Sequence, residues 1–176
     1  MILPRRLRWL WMTLAVVFVD RSTKAWIESR SESYFPHVVI PNFLNIIYSK
    51  NPGIAFSFFA DSSATVVRIV LIVTSTIIIG VIAWLLVASK SSSALNSAGL
   101  ALLLGGAAGN ITDRIVHGAV TDFIQVWLRL IPLQIFNPWP TFNVADSAVT
   151  VGAVLIVFDI LFRQKQRPIP SRKSFL

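Results

Sequence analysis

From about Val66 to Ala88 the chain is almost unbroken apolar sequence, and no other feature restricts its fold so strongly. About 20 such residues are what a helix needs to cross the hydrocarbon core of a bilayer. Three further stretches of spanning length, one before it at about Leu7–Ile27 and two after it at about Leu95–Ile115 and Val144–Phe162, have polar residues at their ends. Apolar residues make up 55% of the chain and charged ones 14%, against about 25% charged in an ordinary soluble domain. The expected fold is an all-α polytopic membrane protein with four transmembrane helices. Residues 1–163 read as one membrane-embedded domain and 164–176 as a disordered basic cytoplasmic tail.

The formal net charge of +8 does not mark a nucleic-acid binder, because of where the charges lie. Arg5, Arg6 and Arg8 precede the first apolar block, and Arg163, Lys165, Arg167, Arg172 and Lys173 follow the last. No basic stripe with interleaved aromatics appears. With four spans both termini share one side, and the tails plus the Lys90 loop hold more than half of the 16 Lys and Arg. The positive-inside rule then puts the termini in the cytoplasm and loops 28–65 and 116–143 outside. The basic start and apolar run resemble a secretory leader, but no Ala-x-Ala-type site precedes Asp20, so a retained first helix is expected.

In the first external loop, Asn42 to Ser49 alternates like a strand. Asn51-Pro52-Gly53 reads as a turn and Ile54 to Phe59 as a second extended run, so a small β-hairpin resting on the membrane surface is expected. The second loop carries Pro132, Pro138 and Pro140 with Trp127 and Trp139, which suits an irregular interfacial segment.

Cysteine is absent, which excludes disulfides, thiolate metal sites and a cysteine nucleophile. His37 and His117 are the only histidines and no HExxH occurs, so neither a metal site nor a cofactor is expected. Ser22 and Lys24, two apart on a helix, do not share a face and make a poor Ser/Lys pair.

The acids carry more information. Asp20, Asp113, Asp146 and Asp159 fall in or at the ends of spans, and Asp122 lies just past one; ionisable groups there are costly and point to function. Asp20–Lys24 and Asp159–Arg163 are four apart, so intrahelical ion pairs explain them simply. Gly105 and Gly109 form a GxxxG pair that admits another helix closely. Just beyond, Asn110, Asp113 and Arg114 read as a polar site facing the bundle. Asp122 and Asp146 lie at the same external face, because the third span leaves and the fourth enters there. Two carboxylates sharing a proton can activate water, which is aspartic-protease logic. A simpler account stands beside it: Asn143-Val144-Ala145-Asp146 reads as a helix cap with an acid at the third position, and Asp122 as a turn acid.

Five segments then occur in an order that resembles the lipoprotein signal peptidase (signal peptidase II) family: DRSTK at 20–24, NPGIAF at 51–56, GGAAGNITDR at 105–114, GAVTDFI at 118–124 and FNVAD at 142–146. The resemblance covers about residues 7 to 163; Pro52, Ile54 and Thr112 depart from the family pattern. It implies an inner-membrane aspartic endopeptidase that removes the signal peptide N-terminal to a diacylglyceryl-modified cysteine. By position it implies Asp122 and Asp146 as the catalytic pair, with Asn51, Gly53, Asn110, Arg114 and Asn143 shaping the substrate site. Asp20, Lys24 and Asp113 would be supports, the hairpin a cradle for the substrate, and Gly105 and Gly109 the place where its signal-peptide helix comes close. Partners would be lipid-modified prolipoproteins and membrane lipids, the protein a monomer, and globomycin-type cyclic peptides its inhibitors. With its helix-terminal position Asp146 is the expected base, and Asp122, among apolar neighbours, the expected acid. A small transporter would need polar groups at mid-membrane on several helices, and an assembly factor would not need converging carboxylates.

Overall fold

The computed structural model describes residues 7–30, 32–53, 64–88, 93–128 and 137–165. Within these, α1 (Leu10–Glu28) leads to a short antiparallel pair, β1 (His37–Ile40) and β2 (Leu44–Asn51). Helices α2 (Ala64–Ala88) and α3 (Ala94–Val116) follow, then β3 (Val120–Val126) and α4 (Val144–Lys165). The four helices lie where the long apolar stretches place them. Three of them, over Thr65–Ala88, Ala94–Val116 and Val144–Phe162, are long and apolar enough to cross a membrane. Helix α1 falls short of that criterion of apolarity, since Asp20, Arg21 and Lys24 interrupt it.

Helix α2 is rich in β-branched residues, which are poor helix formers in water. In an apolar medium every backbone N–H and C=O must be satisfied within the segment, and that requirement overrides the side-chain preference. Its Ile69, Val73, Ile77 and Trp84 stay exposed, as lipid-facing residues would. Helix α3 is the hub and packs against α1, α2 and α4. Ser93 caps its start, accepting from Asn96 N at 3.1 Å. The glycine pair explains the close packing. A Cβ at Gly105 would stand 2.8 Å from Val16 Cβ on α1, and one at Gly109 only 2.6 Å from Asp20 Oδ2 and 3.3 Å from Ala145 Cβ on α4. These glycines are thus occupied by α1 and α4, so the expectation that they admit a signal-peptide helix is corrected.

The extramembrane part also differs from expectation. The sheet has three antiparallel strands in the order β1-β2-β3, not a hairpin of two. The partner of β2 is the upstream strand His37–Ile40, with Val38 opposite Asn45; the expected partner, Ile54–Phe59, lies outside the described residues. Asn51 ends β2 and also starts the expected turn, its side-chain oxygen accepting from Gly53 N. Part of the second loop, read as irregular, forms β3. Pairing energies come from partners distant in sequence, which is why a local reading misplaced them.

Candidate active site

One face of α1 organises the site. Asp20 and Lys24, four apart, are fully buried and paired at 2.8 Å as expected. The pair is more than an intrahelical bridge. Lys24 Nζ also meets Asp113 Oδ2 at 2.8 Å and donates to Asn110 Oδ1 at 3.1 Å, both on α3. Asp20 Oδ1 accepts from Ala145 N at 3.0 Å in the first turn of α4. Arg21 pairs with the other Asp113 oxygen. A buried charge is tolerated only when its neighbours satisfy it, and here every charge in the knot has a partner on another helix. The knot ties α1, α3 and α4 at one end of the bundle.

Asn143 connects the two candidate carboxylates. It is fully buried, and its Nδ2 donates to Asp122 Oδ1 at 2.8 Å. Its Oδ1 accepts from Asp146 N at 2.9 Å, while its own N donates to Asp146 Oδ2 at 3.1 Å. That reciprocal pair is a capping box, so the local reading of Asp146 as a cap acid is correct. The second oxygen remains for other work: Asp146 Oδ1 accepts from Asn110 Nδ2 at 2.7 Å and faces a cavity.

Asp122 is a strand residue, not a turn acid, and is almost fully buried on β3. Its Oδ2 accepts from Asn51 Nδ2 at 3.0 Å. The Asn51 oxygen in turn accepts from Gly53 N at 2.8 Å, a tight turn in which Gly53 has φ +91°. Only glycine adopts that conformation without strain, and the turn aims the Asn51 amide at Asp122. Burial pushes the Asp122 carboxyl above its usual 3.8, against the Asn51 hydrogen bond and helped by the charge of Asp146. Asn143 and Lys24 pull the other way.

Arg114 reaches the same end from α3. Its Nη1 makes only a long 3.5 Å contact with Asn110 O, and its buried Nε has no hydrogen-bond partner among the described residues. The guanidinium is attracted by Asp146, Asp122 and Asp113 without reaching an ion pair with any of them among the described residues. Donors of this kind, desolvated yet open, suit a carbonyl brought by a substrate.

A cavity of about 570 Å³ opens beside the carboxylates, lined by Asn51, Asp122, Asp146 and by Trp139, Pro140, Thr141, Phe142, Ser147, Thr150 and Val151. In the wall from Trp139 to Phe142, Thr141 was not singled out from sequence; Trp139 and Pro140 were seen only as interfacial residues, and Phe142 only as the start of the last segment that resembles the family. Phe142 bridges to Ile124 on β3, which brings this wall to the cavity. Ser147 and Thr150 follow Asp146 by one and four positions on α4, and the latter helical spacing was the available signal. Asp159 lies elsewhere, accepting from Ser93 Oγ; the Arg163 side chain proposed as its partner lies outside the described residues. Among the described residues no three His, Cys, Asp or Glu side chains are gathered to hold a metal ion.

Residues 12–162 match the sequence profile described as signal peptidase (SPase) II. A lipoprotein signal peptidase of Pseudomonas aeruginosa is 40% identical over 163 residues, covering 92% of this chain and 91% of its own. One from Yersinia pseudotuberculosis is 40% identical over 158 residues, covering 87% and 86%. Two solved bacterial membrane enzymes share the fold. One superposes with a TM-score of 0.74 at 25% identity, covering 96% of this chain and 94% of its own. The other gives 0.73 at 29% identity, covering 88% and 92%. The chain belongs to the signal peptidase II family.

Proposed function

We propose that this protein is an aspartic endopeptidase of the bacterial inner membrane that removes signal peptides from diacylglyceryl-modified prolipoproteins, cutting N-terminal to the lipidated cysteine. Relatives with 40% identity carry the name lipoprotein signal peptidase, which supports the substrate class. The observation that carries the catalytic reading is the bridge through Asn143: one amide holds Asp122 and, through the cap, Asp146 at the wall of one cavity.

In this reading Asp146, open to the cavity, takes a proton from water, and the oxygen attacks the scissile carbonyl carbon. Asp122, whose proton burial helps to hold, donates to the carbonyl oxygen. The tetrahedral intermediate collapses as a proton passes to the leaving nitrogen, and the carboxylates exchange roles over a turnover. Arg114 and Asn51 orient the substrate backbone. Helix α1 serves as a fourth span, since its charges are internally paired rather than lipid-exposed, with both termini cytoplasmic and the site external. The protein acts as a monomer, and globomycin-type cyclic peptides inhibit it whereas chelators do not.

The test is cleavage of a lipidated precursor by purified protein. Asp122→Asn and Asp146→Asn should each lower kcat by about 10² to 10⁴-fold, the usual share of acid–base catalysis, while remaining folded. Substantial turnover by either variant would sink the pair.

A further inference from the structure

We propose that Glu28, Lys50 and Thr121 are positioning residues that clamp strand β3, and with it Asp122, to helix α1. The inference rests on the reading of Asp122 as a reacting carboxylate. Glu28 Oε1 accepts from Lys50 Nζ at 2.7 Å and from Thr121 Oγ1 at 2.6 Å. Lys50 Nζ donates to Thr121 Oγ1 at 2.8 Å, so the three side chains form a closed triangle. Thr121 is fully buried, and Lys50 lies directly opposite it in the β2–β3 ladder.

Strand alternation makes the arrangement two-sided. Lys50 and Thr121 share one face of the sheet, and their neighbours Asn51 and Asp122 share the other, where they bond each other. The ladder alone holds this end weakly. It is interrupted between Ile46 and Ser49, leaving only the pairs Ser49–Asp122, Lys50–Thr121 and Asn51–Val120 beyond the break. A one-residue slip there would turn Asp122 away from the cavity. The triangle opposes that slip from the face behind the site.

Glu28 also completes a pattern on α1. Asp20, Lys24 and Glu28 recur every four residues on one face, and each reaches a different element: Asp20 the start of α4, Lys24 helix α3, and Glu28 the sheet. All three elements bearing the site are thereby referenced to one helix. Burial alone would make the Lys50 ammonium easier to deprotonate, but the hydrogen bond and charge of Glu28 more than offset it, so Lys50 stays cationic. His117 is the other titratable group acting on Glu28.

The experiment compares Thr121→Val, Glu28→Gln, Glu28→Lys and the exchanged pair Glu28→Lys with Lys50→Glu. The readouts are kcat, KM, the pH profile and thermal unfolding on the full-length protein with a lipidated precursor. Misplacing a reacting group costs about 10- to 100-fold in rate, so Thr121→Val and Glu28→Gln should lose that much kcat with KM little changed. The groups acting on Asp122 are Asn51, Asn143, Asp146, Lys24 and Arg114. Loosened bonds from Asn51 and Asn143 should move the basic limb of the profile to higher pH, which mere destabilisation would not do. The exchanged pair should recover much of the activity that Glu28→Lys loses. Unchanged kcat in folded Thr121→Val and Glu28→Gln overturns the proposal, as does a loss that follows unfolding alone, with an unmoved basic limb and no recovery by exchange. An active Asp122→Asn variant would instead overturn the catalytic reading beneath it.

Discussion

Asn143 donates its side-chain amide to Asp122 across 2.8 Å, joining the first residue before α4 to the middle of β3. The same side chain caps the helix that carries Asp146. A residue that does both couples helix geometry to the spacing of the two carboxylates. Asn143→Ala should therefore lose about 0.5–2 kcal/mol of stability from the cap and also lose kcat. Asn143→Ser, which keeps a capping oxygen, should recover stability without recovering kcat. Thermal unfolding and turnover measured on both variants check this.

Asp122 makes stability depend on pH in a predictable direction. Its folded pKa lies above 3.8, chiefly because it is buried. Between the unfolded and folded values the folded protein holds more protons, so stability falls as pH rises through that window and stays lower above it. The unfolding temperature of the parent should thus fall more between pH 4 and pH 7 than that of Asp122→Asn. Parallel curves for the two proteins would contradict the assignment.

Gly109→Ala should be destabilising and Gly80→Ala should not. The added methyl at 109 would lie 2.6 Å from Asp20 Oδ2, and Asp20 is held by Lys24 and Ala145 and has little room to yield. Overpacking of this kind costs about 1–3 kcal/mol. At Gly80 no described atom beyond its own stretch of helix lies within 4 Å of the new methyl, so the better helix propensity of alanine should make that change neutral or mildly stabilising. Unfolding in detergent compares the two.

Arg114→Lys should impair cleavage although charge is retained. Among the described residues the guanidinium has an unpartnered Nε and one long contact, which leaves donors for a substrate carbonyl in the proposed reading. An ammonium cannot reproduce the planar fork. A fall in kcat/KM of about 10-fold is expected, the size of one lost charge-assisted hydrogen bond; wild-type activity would reject the role.

Lipid on the substrate should be required. The carboxylates lie where α3 and α4 end, so the scissile bond must be presented at bilayer depth. Each buried methylene of an acyl chain adds about 0.8 kcal/mol of anchoring. Identical precursors with and without the diacylglyceryl group, assayed side by side, should differ strongly in rate. Equal rates would mark a general membrane protease.

Whatever depends on local patterns was legible in the order of residues. Apolar runs set the helices α1 to α4, because backbone groups in an apolar medium must pair within their own segment. The capping box at Asn143 and Asp146 spans three residues and was readable as such. So was the Asp20–Lys24 pair on one helical face. Segment order also indicated that Asp122 and Asp146 would meet at one end of the bundle.

What those residues touch depends on how the helices and strands pack. Lys24 bridges to Asp113, 89 positions away by sequence number, and nothing local distinguishes it from a simple intrahelical pair. Strand β3 had a signal in Val120, Phe123, Ile124 and Val126, but prolines farther along the loop outweighed it. Its pairing with β2, the choice of β1 over a downstream partner, and the Glu28–Lys50–Thr121 triangle all depend on distant backbone meeting in space. Glycine spacing announced a close helix contact but not its occupants. Those became clear only when packing placed Val16 and Ala145 against Gly105 and Gly109, since the same absence of a side chain would have admitted any helix of suitable shape.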